Sequence, residues 1–137
     1  MIMNEKEKVR LIERVLLQIP LNSKLYVGDY INFMIKDGFM ENLSQYEIPE
    51  DFPEKRFDKC YLMTSDFINY FLTELKSLNG LVNYFDHYII MFDDEILLCV
   101  YDEDIFSIKS TLLIDDELIK NCMDSEIHII FEDPVTL

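Results

Sequence analysis

Two apolar runs stand almost end to end in the second half of the chain, and they restrict the fold more than any other feature. Tyr88-Ile89-Ile90-Met91-Phe92 is followed, after Asp93-Asp94-Glu95, by Ile96-Leu97-Leu98-Cys99-Val100-Tyr101. Side chains along a strand alternate between the two faces of a sheet. Here both alternating sets are apolar. Tyr88, Ile90 and Phe92 oppose Ile89 and Met91, and Ile96, Leu98 and Val100 oppose Leu97, Cys99 and Tyr101. A hairpin of this kind cannot leave one face in water. It belongs at the centre of a sheet, covered on both sides by its own chain or on one side by a second subunit. The three acidic residues between the runs read as the turn.

The material to cover it lies largely in the first half. Asn4 and Glu7 have the spacing of a capping box. Val9, Ile12, Leu16 and Ile19 follow at helical intervals, with Leu11 and Val15 widening the stripe, and Pro20 stops the helix. Leu25-Tyr26-Val27 suits a short extended piece. Asp29 is placed to cap a second helix bearing Tyr30, Phe33 and Met34 and ended by Gly38. Residues 41–60, with Pro49 and Pro53, read as an irregular loop. Thr64 or Ser65 opens a further helix with the stripe Phe67, Phe71, Leu75 and Leu78, closed at Gly80.

After Gly80 the pattern changes to strands. Leu81–Phe85, His87–Phe92, Ile96–Tyr101 and Ile105–Ile108 read as an antiparallel meander with acidic loop tips. Asp115-Asp116-Glu117 then starts a short helix to about Met123, acids being favourable in a first turn. Ile127–Phe131 is a last strand. The predicted fold class is α+β: N-terminal helices packed on a C-terminal antiparallel β-sheet, with one late short helix. Residues 1–137 form a single domain, long enough to bury a core without staples.

Three cysteines, Cys60, Cys99 and Cys122, show no CxxC spacing and read as reduced, buried thiols. The first residues lack the apolar stretch of a signal peptide, and no apolar run approaches the ~20 residues of a membrane span. The expected location is the cytoplasm, with no membrane contact.

Charge narrows the function. The formal net charge is −15, and it is uneven. Residues 1–60 hold 9 Lys and Arg against 11 Asp and Glu, whereas residues 61–137 hold 3 against 16. Such a field attracts basic surfaces and repels phosphate, so direct nucleic-acid binding is disfavoured. Gly28, Gly38 and Gly80 are isolated, which excludes a phosphate-cradling loop. An EF-hand reading from Asp102 fails because Ser107 and Leu113 occupy the positions of the turn glycine and the acidic twelfth ligand. Glu74-Leu75-Lys76 matches an acid-x-Lys pair, but such pairs are common on amphipathic helices. His87 and His128 stand alone, without metal-ligand spacing or a cysteine neighbour. No catalytic residue, metal site or cofactor is expected, and the chain is not read as an enzyme.

The acidic clusters remain. The simplest reading is solvated turns and a helix start. The functional reading is a face for a basic protein, carried by Asp93, Asp94, Glu95, Asp102, Glu103 and Asp104 with Tyr101 as an aromatic anchor. The two loops would lie at opposite ends of one strand and so would not form one compact site.

In size, acidity and lack of catalytic motifs, the chain resembles the small immunity proteins that bacteria pair with secreted or contact-delivered toxins. That resemblance implies a cytosolic inhibitor that docks on a basic, nuclease-type toxin domain and covers its active site. The chain is expected to be a monomer or homodimer. Three other classes fit the same sequence. One is a phage- or plasmid-type acidic decoy of a nucleic-acid-binding protein. Another is a small ligand-binding domain or enzyme with a pocket under the helices. The last is a structural homodimer that uses the apolar sheet face.

Overall fold

A computed structural model of the chain describes residues 3–27, 59–76, 88–101 and 104–135. They form an α+β fold. In chain order the elements are α1 (Met3–Leu16), β1 (Ser23–Val27), β2 (Lys59–Met63), α2 (Ser65–Lys76), β3 (Tyr88–Phe92), β4 (Glu95–Tyr101), β5 (Ile105–Lys109), α3 (Asp116–Asp124) and β6 (His128–Glu132). The six strands make one sheet in the order β2-β1-β3-β4-β5-β6. The two apolar runs thus occupy its two central positions, as their patterning requires.

Helix α1 begins at Met3, one residue before the expected cap Asn4, a shift within the usual fraying of helix ends. Its stripe is buried as predicted at Val9, Leu11, Ile12, Val15 and Leu16, but the helix ends at Leu16, short of Pro20, and Ile19 is buried in the turn that follows. Thr64 caps α2: its Oγ1 accepts the Phe67 N–H at 3.2 Å. The expected helix from Asp29 to Gly38, the loop of Pro49 and Pro53, the strand Leu81–Phe85, and Leu78, Gly80 and His87 lie outside the described residues.

Three expectations are corrected. Lys59–Met63 is a strand, not the end of an irregular loop, and β1 is inserted between it and β3. Both pairings are antiparallel. The apolar alternation Cys60, Leu62 beside Tyr61, Met63 is too short to separate from loop sequence by period alone.

The sheet is mixed rather than wholly antiparallel, because β6 runs parallel to β5. The reason lies in the connection. A tight hairpin returns the chain antiparallel, but here α3 stands between the two strands and makes a β-α-β crossover. The turn out of α3 is a Schellman motif: Ile127 N–H donates to Cys122 O at 2.9 Å and Glu126 N–H to Met123 O at 3.1 Å. Glu126 takes φ 64° there, the left-handed conformation this turn needs.

The third correction concerns β4. The register opposite β3 slips between Ile90, which faces Leu98, and Met91, which faces Ile96. Leu97 is the extra residue of a β-bulge. One additional residue reverses the side to which the following side chains point. Leu97 therefore joins Leu98 and Val100 on one face, and Ile96 falls with Cys99 on the other.

Both faces of the sheet carry largely apolar rows that are buried from β2 to β5 and open to solvent at β6. One row runs across all six strands as Tyr61, Leu25, Ile90, Leu98, Ile108 and Phe131. The helices cover this side with Ile12, Val15 and Leu16 of α1, Phe67 and Phe71 of α2, and Leu118 and Cys122 of α3. The opposite row is Cys60, Tyr26, Ile89, Cys99, Ser107 and Ile130, and Val135 packs with its first members in a second cluster.

Candidate functional site

The turn between β3 and β4 is a two-residue loop, since Phe92 pairs with Glu95. Asp93 and Asp94 adopt φ 50° and 64°, the twin left-handed conformation whose twist matches a tight hairpin. Aspartate tolerates it better than most residues. Both carboxylates are exposed, and neither makes an ion pair among the described residues. They border a cleft of about 230 Å³ lined also by Asn22, Lys24, Tyr26, Met91 and Phe92. Burial pushes the Tyr26 hydroxyl up to about 12, and the nearby Cys60 thiol and Asp94 carboxylate act in the same sense. Tyr26 donates its hydroxyl proton toward the Cys60 sulfur.

Glu95, first in β4, is bound by Lys109 Nζ from the end of β5. At the other end of β4, Tyr101 pairs with Ile105 through its backbone. Asp102 and Glu103 lie outside the described residues. Asp104 Oδ1 lies 2.6 Å from Lys8 Nζ, which reaches across from α1 and is almost wholly buried. Of the seven residues expected to bind a partner, the structure thus groups Asp93, Asp94 and Glu95 at one end of the sheet. It places Asp104 at the far end, about 20 Å along the strand.

Sequence reasoning missed a second feature, along the outer strand β6. A groove of about 570 Å³ is lined by Ile105, Met123, Glu126, Ile127, His128, Ile129 and Ile130. Met123 is 65% exposed, Ile130 40% and Phe131 39%, high values for large apolar side chains. The signal was the run Ile127–Phe131 after a helix. A strand reached by a crossover need not be followed by a partner, and then it closes the sheet with a free edge.

The Cys60 and Cys122 thiols are poor nucleophiles. Burial, helped by the Glu7 charge, pushes Cys122 up to about 11, and burial also raises Cys60. A thiol held protonated in the fold stabilises it fully below its unfolded value near 9, and that contribution is lost as pH rises toward 11. Two results are expected. Native protein at pH 8 should alkylate at Cys122 and Cys60 far more slowly than urea-unfolded protein. The thermal midpoint should fall between pH 9 and 11. Fast labelling of Cys122 in folded protein would contradict the burial.

Among the described residues, no group of three or more His, Cys, Asp or Glu side chains is arranged to hold a metal ion. No described helix is long and apolar enough to cross a membrane. Neither family models, curated proteins nor solved structures give a match to this chain.

Proposed function

We propose that this chain is a protein-binding inhibitor, an immunity-type protein that neutralises a basic, nuclease-type toxin by covering its active site. The observation that carries this reading is how the charges are paired. Lys8, Arg10, Arg14, Lys76 and Lys109 each sit beside a carboxylate of the same chain, namely Asp104, Glu7, Asp115, Glu13 and Glu95. The carboxylates of Asp93, Asp94, Asp116, Glu117 and Asp124 are exposed and make no ion pair among the described residues. Lys6, Lys24 and Lys120 are exposed as well, but carboxylates outnumber cations 27 to 12 over the chain, so the surplus charge left facing solvent is negative. A nuclease must present cations to phosphate, and an acidic surface is steered to them at long range.

The test is affinity capture of the tagged protein's partner from the native lysate at low and high salt, read by mass spectrometry. One near-stoichiometric basic protein, weakened at high salt, is the expected result. The variant carrying Asp93→Ser, Asp94→Ser and Glu95→Ser should then associate roughly tenfold more slowly and with a flatter salt dependence. A partner that is acidic, or held equally at both salts, would remove the electrostatic basis of the reading. A host DNA-handling protein as partner would favour the decoy.

A further inference from the structure

The outer edge of β6 is the second place where this chain can hold another. The phase of its hydrogen bonds fixes which groups are free. His128 N–H donates to Asp104 O at 2.8 Å, and Glu132 O accepts from Ser110 N–H at 2.8 Å. Along a parallel ladder the bonding residues alternate. His128, Ile130 and Glu132 therefore turn their backbone groups toward β5, while Ile129 and Phe131 turn N–H and C=O outward. No described strand pairs with that side. Beside it runs the apolar groove of Met123, Ile129 and Ile130.

Exposed sheet edges recruit strands unless they are blunted by lysine, proline or a bulge, and β6 has none of these within it. The charges beside it are Glu126 in the groove, Glu132 at the end of the strand and Asp133 next along the chain. Among the described residues, no lysine or arginine lines the groove. A second copy of a chain with net charge −15 is repelled from such an edge. An extended segment alternating basic and apolar residues satisfies all three features at once. Its backbone pairs with Ile129 and Phe131, its apolar side chains enter the groove, and its cations meet the acids.

We propose that the β6 edge binds an extended, basic–apolar segment of a partner protein by strand addition. This rests on the reading of the chain as a binder of basic proteins, and it assigns that partner a second contact, separate from the Asp93–Asp94 turn.

The probe is a short capped peptide of alternating lysine and valine, added to isotope-labelled full-length protein and followed by amide hydrogen exchange. Protection should appear at Ile129 and Phe131, while Ile130, already bonded to β5, is unchanged. The same peptide with glutamate for lysine should bind at least roughly tenfold more weakly. Phe131→Pro removes an outward N–H without breaking a bond to β5 and should abolish the protection, whereas Phe131→Thr should retain it. If Phe131→Pro does not fold, Ile130→Lys, which sets a like charge in the groove, should weaken the peptide by a similar factor. Absence of peptide binding overturns the inference. So does binding confined to Asp93 and Asp94, or protection that grows with protein concentration alone, which would mark a second copy. Failure of the functional reading looks different. If the wild type captures a basic partner and Phe131→Pro captures it equally, the edge is excluded and the inhibitor reading stands. If the captured partner is not basic, the inhibitor reading falls while the peptide result still decides the edge.

Discussion

Alanine at Ile89 should cost as much stability as alanine at Ile90, about 3 kcal/mol in each case. The two side chains are neighbours on β3 and point to opposite faces of the sheet. Neither has measurable exposure. Ile90 packs in the large cluster under the helices, and Ile89 in the smaller one with Tyr26, Cys60, Cys99 and Val135. In a sheet with one wet face, the outward residue would be worth less than about 0.5 kcal/mol. Urea unfolding of the two single variants measures the difference directly. Equal losses, each lowering the thermal midpoint by about 10 °C, match a sheet buried on both sides. A near-neutral Ile89→Ala would show that the second cluster is not a core.

Phe71→Ala is expected to be worse, at about 4 kcal/mol, within reach of the whole stability of a domain this size. Phe71 holds the middle of an aromatic row. Its ring centroid is 5.9 Å from Phe67 on the same helix and 6.2 Å, edge-on, from Tyr88 of β3. Such pairs add about 1 kcal/mol to what burial alone provides. The variant removes both contacts and opens a cavity between α2 and the sheet. Phe71→Leu fills most of that volume and loses only the ring geometry, so it should cost less than half as much. The pair of variants separates packing from ring–ring contact, with urea midpoints as the readout. Equal costs for Leu and Ala would mean that ring geometry, not volume, holds α2 in place.

Much of this architecture was legible in the residues. The 3.6-residue stripes of α1 and α2 and the doubly apolar runs of β3 and β4 are strong signals, because a wrong assignment would expose many large side chains at once. The acidic turn at Asp93 and Asp94 was legible for the same reason, being the only break between those runs. What escaped the sequence depends on contacts between distant segments. Lys59–Met63 becomes a strand because β1 offers it a partner. The bulge at Leu97 leaves no trace in a run of apolar residues, since either face accepts them. That no described strand pairs with the outer side of β6 depends on where the α3 crossover sets it, and not on the composition of Ile127–Phe131. At the candidate site, the positions of Asp93 and Asp94 were readable, but the capture of Glu95 by Lys109 and of Asp104 by Lys8 was not. Ion pairs between residues far apart in sequence have no local signature.

The insertion of β1 between β2 and β3 also sets the order in which the chain can fold. Val27 pairs with Tyr88, and α1 with the turn that follows it is tied to the last third of the chain through Lys8 to Asp104, Arg14 to Asp115 and Gln18 to Leu113. The Gln18 side chain both donates to and accepts from the Leu113 backbone at 2.7 Å. During synthesis at ~10 residues per second, roughly ten seconds separate the emergence of α1 from that of its final neighbours. Closing such long loops comes before the contacts that reward it, which places folding toward the slower end for a domain of this length. Until then the stripe from Val9 to Ile19 has only β1, β2 and α2 against it and lacks the cover of α3 and the later strands. Of the described helices α1 comes first in the chain, so it waits longest for its full set of neighbours.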